Sequence, residues 1–369
     1  MKDLTKELEQ LNRRLEKHSE KPEALQADVI RIGEALEKHG YEGTAVIKSL
    51  ETIAEILYWY ASGMCDEAKY RQLMNYQTKY LLDTFFWCVP EGSHRFSVSA
   101  ILKNEPDLLE WIAYHKLMGV DHFYLFDNGS TNGMKETVAP LAERGLVTYI
   151  DYPGKAMQDR ASNYAIEHFR FETKWLAIID GDEYLVPMEE GILLPELFDD
   201  IIDRYKKSPF QTGGFPGAVG VNWRDYGTSG HKEPQEGLVI ENYLYRGEDD
   251  YVQNCHIKTV MNPRTALDMN NPHSARFRDG YYCISEHGSF LMFSYFFDSQ
   301  CKRIRINHYF SKSEQQLLEK NRRGWPVGDL VRDDEKELHE AAVECNKVYD
   351  PVLLRYADAV RRELEAMKK

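Results

Sequence analysis

Between Phe96 and Ile179, strand-like and helix-like stretches alternate, and that order limits the chain to very few folds. Phe96–Leu102 reads as a strand. Asn104–Met118 reads as a helix, with Asn104 as its cap, Pro106 in its first turn and Gly119 as its stop. His122–Phe126, Val147–Asp151 and Trp175–Ile179 read as further strands, with helices at Glu136–Arg144 and Met157–Phe169 between them. A β-α-β-α-β-α-β order implies a mostly parallel sheet with helices on both faces. The expected class is α/β.

The flanks are different. Residues 1–92 read as helical, as a bundle or a possible oligomerisation or acceptor module. Leu4, Leu8, Leu11 and Leu15 form a stripe at spacings of three and four. Further helices are expected over Ala24–Lys38, ending at Gly40, then Thr44–Ser62 and about Asp66–Phe86. The leucine stripe is able to pair with another copy of the chain. After Pro187 the pattern loosens, and residues 188–310 read as short strands and Gly- and Pro-rich turns. Helices return at Ser313–Arg323, Asp333–Lys347 and Val352–Met367. The expected division is 1–92, an α/β domain over 93–324, and a helical tail over 325–369.

Composition excludes some classes. No run approaches the roughly 18 apolar residues of a membrane span. The N-terminus is charged from Lys2 and has no apolar core of a signal peptide, so the cytosol is expected, with possible peripheral association at the inner membrane face. The six cysteines are scattered without a C-x-x-C pair, which argues against structural zinc and a dense disulfide framework. A formal net charge of −14 makes nucleic acid an unsuitable partner. A local basic patch over Lys312–Arg323 still suits a small anion.

Ligands of an open parallel sheet bind at the carboxyl ends of its strands. Three such ends here are polar: Lys103-Asn-Glu105, Asp127-Asn-Gly-Ser-Thr131, and Asp180-Gly-Asp-Glu183. The last is the most telling. An apolar strand delivers two carboxylates separated by glycine, which can turn toward one point. Hard divalent ions such as Mg²⁺ or Mn²⁺ take oxygen ligands and keep positions open for substrate phosphates. An EF-hand loop is excluded, because Tyr184 and Leu185 fall where such a loop needs a ligand and a glycine. Asp127, at the end of its strand, suits a ribose or base edge. His308, closing the alternating stretch from Arg303, is a candidate third metal ligand. Lys312, Lys320, Arg322 and Arg323, before Gly324, suit a diphosphate.

Several ordered segments resemble glycosyltransferase family 92 and its bacterial relatives in the glycosyltransferase family 2 clan. They are Lys103-Asn-Glu…Glu110-Trp…His115…Gly119-Val-Asp-His-Phe-Tyr-Leu-Phe-Asp-Asn-Gly-Ser-Thr, Asp180-Gly-Asp-Glu-Tyr, Trp223…Tyr226-Gly-Thr-Ser-Gly-His231, Lys258-Thr-Val-Met-Asn-Pro-Arg and Ile306-Asn-His-Tyr-Phe-Ser-Lys-Ser. The resemblance, to a bacterial-type member, covers about residues 96–324. It implies a GT-A fold, a nucleotide-sugar donor (UDP-galactose in characterised animal members), a divalent metal and inversion at the anomeric carbon. Carried over, Asp127 contacts the nucleotide, and Asp180 and Asp182 hold the metal, with His308 as a further ligand. Lys103, Glu105, Lys258 and Lys312 complete the expected donor-binding set. Asn132 stands where the family often has Asp, and Tyr226 where it tends to have Phe. Animal members are membrane-anchored, and no anchor is legible here.

Inversion needs a general base, for which Asp225 and His231 follow the strand-like Ala218–Trp223; Glu286 and His287 stand in reserve. The acceptor expected is a glycan, lipopolysaccharide or lipid-linked intermediate of polysaccharide biosynthesis. Two other readings stay open: a sugar-phosphate nucleotidyltransferase, although residues 96–110 lack its Gly-rich phosphate loop, and a non-catalytic nucleotide-sugar or glycan binder.

Overall fold

The computed structural model describes residues 1–90, 93–206, 214–297, 300–323 and 334–368, with Lys2, Lys206 and Arg323 described by backbone alone. Contacts divide the chain into two units. One is Met1–His94 with Phe171–Lys174, and the other Arg95–Arg170 with Trp175–Lys369.

The first unit is helical: α1 (Lys2–Lys17), α2 (Pro22–Leu36), α3 (Ala45–Ala61) and α4 (Glu67–Trp87). Helix α1 packs on α2 and α4, and α3 on α2 and α4, which closes a ring of four. Leu8, Leu11 and Leu15 are at most 1% exposed, so the leucine stripe is consumed within its own unit. Gly40, at φ 84°, adopts the left-handed turn that ends the second helical stretch. Asp66 caps α4 by accepting a hydrogen bond from the Lys69 amide at 2.8 Å.

The second unit alternates as its sequence implies. In order come β1 (His94–Leu102), α5 (Leu108–Leu117), β2 (His122–Asp127), α6 (Met134–Glu143), β3 (Val147–Asp151), α7 (Gln158–Phe169) and β4 (Thr173–Ile178). Then follow β5 (Glu183–Pro187), α8 (Leu194–Lys206), β6 (Phe215–Asp225), α9 (Val239–Asn242), β7 (Tyr245–Arg246), β8 (Ile257–Met261), β9 (Ala266–Met269) and β10 (Ala275–Phe277). The chain closes with β11 (Tyr281–Ile284), β12 (Phe290–Leu291), β13 (Ile304–His308), α10 (Glu314–Arg323), α11 (Glu335–Glu344), β14 (Val348–Tyr349) and α12 (Ala357–Met367).

Ten strands form one sheet in the order β12-β11-β6-β8-β4-β1-β2-β3, with β13 bridging β6 and β5. The pairs β1/β2 and β2/β3 are parallel, as a β-α-β order demands. Strand β8 runs antiparallel to both β4 and β6. Every residue of β2 is buried, so both faces of the sheet are covered there. The α/β class with a central sheet, a helical N-terminal region and C-terminal helices is therefore what the structure shows.

Three local expectations are corrected. Asn104 does not cap a helix. It sits in the left-handed region at φ 54°, its Oδ1 accepts the Thr131 amide at 2.7 Å, and α5 starts only at Leu108. Residues 188–310 also hold α8, whose Leu194, Leu197, Phe198, Ile201 and Ile202 recur at helical spacing and are all buried. The last helix starts at Ala357, after a short 3₁₀ turn over Leu354–Tyr356. Gly324 and Asp333 lie outside the described residues. All six cysteines are free thiols. No described helix is long and apolar enough to cross a membrane.

Candidate active site

Strand register builds the site. In the antiparallel pair β5/β13, Glu183 faces His308; in the parallel pair β13/β6, His308 faces Asp225. Three strand ends thus place Glu183, His308 and Asp225 in one row. The Asp180-Gly-Asp turn precedes the first of them.

That turn is tightly held. Glu183 Oε2 accepts the Asp180 amide at 2.8 Å, and the Asp182 carbonyl accepts the Tyr309 amide at 2.9 Å. A Cβ on Gly181 would stand 2.7 Å from Leu102 Cδ2 and 3.2 Å from Glu105 Cγ. A side chain here would have to displace the Leu102 methyl and the Glu105 side chain.

Each carboxylate has basic company. Asp180 Oδ2 accepts from Lys258 Nζ at 2.7 Å, and its Oδ1 accepts from Gln158 Nε2 at 2.9 Å. Lys258 is 1% exposed; burial alone drives its ammonium down, and Asp180 with Glu183 outweighs that and holds it charged. Asp182 is paired with Lys320 and lies 3.8 Å from His308 Nε2. Burial pushes the Asp182 carboxyl up, but Lys320 and His308 together carry it below the usual carboxylate range. His308 is partly buried, and Asp225 and Asp182 raise its affinity for a proton above the ordinary value. Burial raises Glu183, against the pull of Lys258.

An ion site is tested by this donor set. His308 Nδ1 is bound to Asp225 Oδ1 at 2.8 Å, which directs Nε2 toward Asp182. Metal-binding histidines are oriented by a carboxylate in this way. Glu183 Oε1 is buried beside them with no hydrogen-bond partner among the described residues. One imidazole nitrogen and carboxylate oxygens suit Mn²⁺ or Mg²⁺. Asp180 is the member least turned to that point, since both its oxygens already serve Lys258 and Gln158. No group of three ligating side chains is preassembled among the described residues.

Asp182 borders a cleft of about 570 Å³. Asn104, Glu105 and Pro106 form one wall, and Lys312, Gln316, Glu319, Lys320 and Arg322 form another. Lys312 Nζ donates to Asp107 Oδ2 at 2.6 Å and lies 3.9 Å from Glu105. Lys103 stands exposed at the end of β1. Asp127 is buried, and both its oxygens are engaged, by the Ser130 amide at 2.8 Å and the Tyr149 hydroxyl at 2.5 Å. It fastens its own turn.

Neither expected base is among the described residues lining the cleft. Asp225 serves His308. His231 Nε2 donates to the Asn242 carbonyl at 3.0 Å. Glu286 accepts the amides of Lys302, Arg303 and Ile304, which anchors the start of β13, and His287 lies 3.4 Å from it. The Arg323 side chain and Gly324 are outside the described residues. Gln158 and Glu319 went unread in the sequence, although Glu319 sits one residue before Lys320; Glu183 reads there only as the end of the acidic run.

A family model, Glycosyltransferase family 92, matches residues 95–325, more than half of the chain. The chain belongs to glycosyltransferase family 92. A family 92 protein of Ricinus communis is 31% identical over 103 residues, 27% of this chain and 18% of that protein. One of Arabidopsis thaliana is 26% identical over 153 residues, 40% of this chain and 26% of that protein. Galactan beta-1,4-galactosyltransferase GALS3 of Arabidopsis thaliana is 36% identical over 94 residues, 22% of this chain and 19% of that protein. The chain thus covers about a fifth to a quarter of the length of these family 92 relatives. All three are plant proteins, so the bacterial-type placement draws no support from them. Among solved structures, S. aureus TarS 1-349 in complex with UDP is 14% identical and covers 46% of this chain and 47% of that one, with a TM-score of 0.29. A likeness at that score carries no argument. The family 92 match contains Asp127, Asp180, Asp182, Asp225, Lys258 and His308, and so encloses the whole row of strand ends.

Proposed function

We propose that this family 92 chain transfers a hexose from a nucleotide-diphosphate donor to a glycan or lipid-linked glycan hydroxyl, with inversion at the anomeric carbon. One observation carries the reading: strand register sets His308 between Glu183 and Asp225, and its Nε2 lies 3.8 Å from Asp182, which borders a cleft with a lysine-rich wall. A galactosyltransferase among the relatives supports galactose as the sugar, and with it a UDP donor.

A Mn²⁺ or Mg²⁺ ion held by Asp182 and His308, with Asp180 beside them, supplies positive charge for the leaving diphosphate when bound. The chain's own residues do the rest. Lys320, Lys312 and Arg322 line the cleft and balance phosphate charge. Asp180 locks Lys258 against the turn, which keeps that ammonium fixed beneath the donor. Asp127 and the loop it fastens face the nucleoside end, with Lys103 and Glu105 on the neighbouring strand end.

In the reaction the acceptor oxygen bonds to the anomeric carbon as the bond to the phosphate oxygen breaks. The acceptor proton leaves to a carboxylate on the cleft wall. Glu105, 3.9 Å from Lys312, and Glu319, which accepts from Gln315, border the cleft, as Asp225 and His231 do not. Without a base in reach, such a displacement loses roughly 10²–10⁴-fold in rate.

The test is a panel of UDP- and GDP-sugars with Mn²⁺, Mg²⁺ or EDTA, read by release of nucleoside diphosphate and by thermal shift. Turnover of one donor, lost in Asp182→Ala and in EDTA, is expected. Equal turnover by wild type and Asp182→Ala in excess EDTA refutes the ion site. Absence of both binding and turnover across the panel refutes the donor reading.

A further inference from the structure

The segment Phe290–Phe297 is unusual for a protein surface. Phe290, Met292, Phe293, Tyr295 and Phe297 are between 50% and 81% exposed, and no charged residue stands between Ser289 and Phe297, with Asp298 following. Contiguous apolar surface of this kind marks an interaction site more often than chance exposure does.

Its backbone is fixed. The Ile257 amide donates to the Ser294 carbonyl at 3.1 Å, and the Phe296 amide donates to the Cys255 carbonyl at 2.7 Å. Asn222 Nδ2 donates to the Phe296 carbonyl at 2.9 Å. Leu291 and Phe296 turn inward to the core under the sheet. The outward rings are thus held on a rigid frame, so little ordering entropy is lost on binding.

The strip is joined to the candidate active site by rings. Tyr295 meets His256 edge-on at 4.7 Å, His256 stacks on Trp223 at 5.0 Å, and Trp223 meets His308 at 4.3 Å. His308 is the residue that faces Asp182. Three ring-to-ring steps therefore connect the acidic turn to the exposed aromatics. Hydroxyl and amide groups stand at its border. Ser294 Oγ lies 3.1 Å from Ser274 Oγ and donates to Asn271 Oδ1 at 3.0 Å.

We propose that this strip is the acceptor subsite, and that it takes an uncharged oligosaccharide extending from the reacting hydroxyl. The inference rests on the glycosyl-transfer reading above. Pyranose rings carry a face of C–H groups that packs on aromatic rings, while their hydroxyls pair with amides and hydroxyls at the border. Aromatic side chains offer large contact area at low conformational cost. A lipid surface fits less well: a peripheral membrane patch draws on Lys and Arg, the strip holds none, and the chain carries a net charge of −14.

The test compares the full chain with a Phe293→Ala/Phe297→Ala double variant. Probes are β-1,4-linked tetrasaccharides of galactose and of glucose, with an acidic trigalacturonate as control. Calorimetry reads oligosaccharide affinity, and a UDP-sugar thermal shift reads the donor site separately. Wild type is expected to bind a neutral tetrasaccharide, and the double variant to bind it at least about tenfold more weakly, with the donor shift unchanged. The inference is overturned if wild type binds neither neutral probe, or if the variant binds as well as wild type. It is overturned too if the substitutions change only vesicle co-sedimentation or oligomer mass. Loss of the donor shift in wild type instead sinks the donor reading and leaves oligosaccharide binding at the strip measurable by itself.

Discussion

His308 Nδ1 and Asp225 Oδ1 lie 2.8 Å apart, side by side in the parallel pair β13/β6. The contact decides which imidazole nitrogen meets Asp182. An orienting carboxylate and a general base fail differently when removed. Asp225→Asn is expected to weaken Mn²⁺ binding about 10–100-fold, the usual loss when a metal-binding histidine loses its supporting partner. Activity should then recover toward wild type at saturating Mn²⁺. A loss in kcat that no Mn²⁺ concentration restores assigns Asp225 to proton transfer instead.

Lys320 gives a second prediction. Its ammonium is paired with Asp182, the carboxylate proposed to hold the cation. The side chain is 42% exposed on α10, so it is able to swing away. Lys320→Met is expected to tighten Mn²⁺ binding several-fold without donor, because a competing charge is gone, and to raise the donor KM. Calorimetry with Mn²⁺ alone separates the two effects. Unchanged Mn²⁺ affinity means that Lys320 does not compete for the site.

These two contacts show where sequence reading stops. Strand β4 and its acidic turn were legible because a continuous apolar run ending in polar residues has few other uses in an α/β chain. The clustering of strand ends followed from topology. Pairing within the cluster did not. Lys258 reaches Asp180 across 78 positions, and Lys320 reaches Asp182 across 138, so only register and helix placement bring them together. Asn104 misled for a related reason. An Asn before a Pro and an apolar run reads as a cap, but its side chain is drawn to the Thr131 amide of the next loop. Helix α8 is hidden among turns because its apolar residues are interspersed in sequence with Asp199, Asp200 and Asp203 of the opposite face, which read as surface loop.

Gly181 carries a third prediction, on geometry. Leu102 is 2% exposed, and its Cδ2 would have to shift to admit a new methyl group 2.7 Å away. Gly181→Ala is expected to push the Asp180–Asp182 turn outward at a cost of about 1–3 kcal/mol, the usual range for overpacking. Donor turnover should fall more than stability does, because both carboxylates move. Urea denaturation and donor hydrolysis measured on one preparation check this. Wild-type turnover in a stable Gly181→Ala protein removes the case that the glycine positions the turn.

His115 is fully buried, with Nδ1 donating to the Trp111 carbonyl at 2.9 Å and Nε2 accepting the Leu185 amide at 3.2 Å. Both nitrogens are thus matched to the neutral ring, which ties α5 to β5, the strand that carries Glu183. Burial pushes the imidazole down to about 3, from an ordinary value of 6.5. The folded value lies below the unfolded one. The stabilisation is therefore complete above about pH 6.5 and is lost as pH falls toward 3. The loss amounts to on the order of 4 kcal/mol at the acid end. His115→Gln keeps an amide able to donate and accept but cannot titrate. Its urea-unfolding free energy should be lower than wild type at pH 7, and the gap should close as pH falls to 4. Parallel curves across that range mean that His115 does not gate the acid stability of the strand end that holds the site.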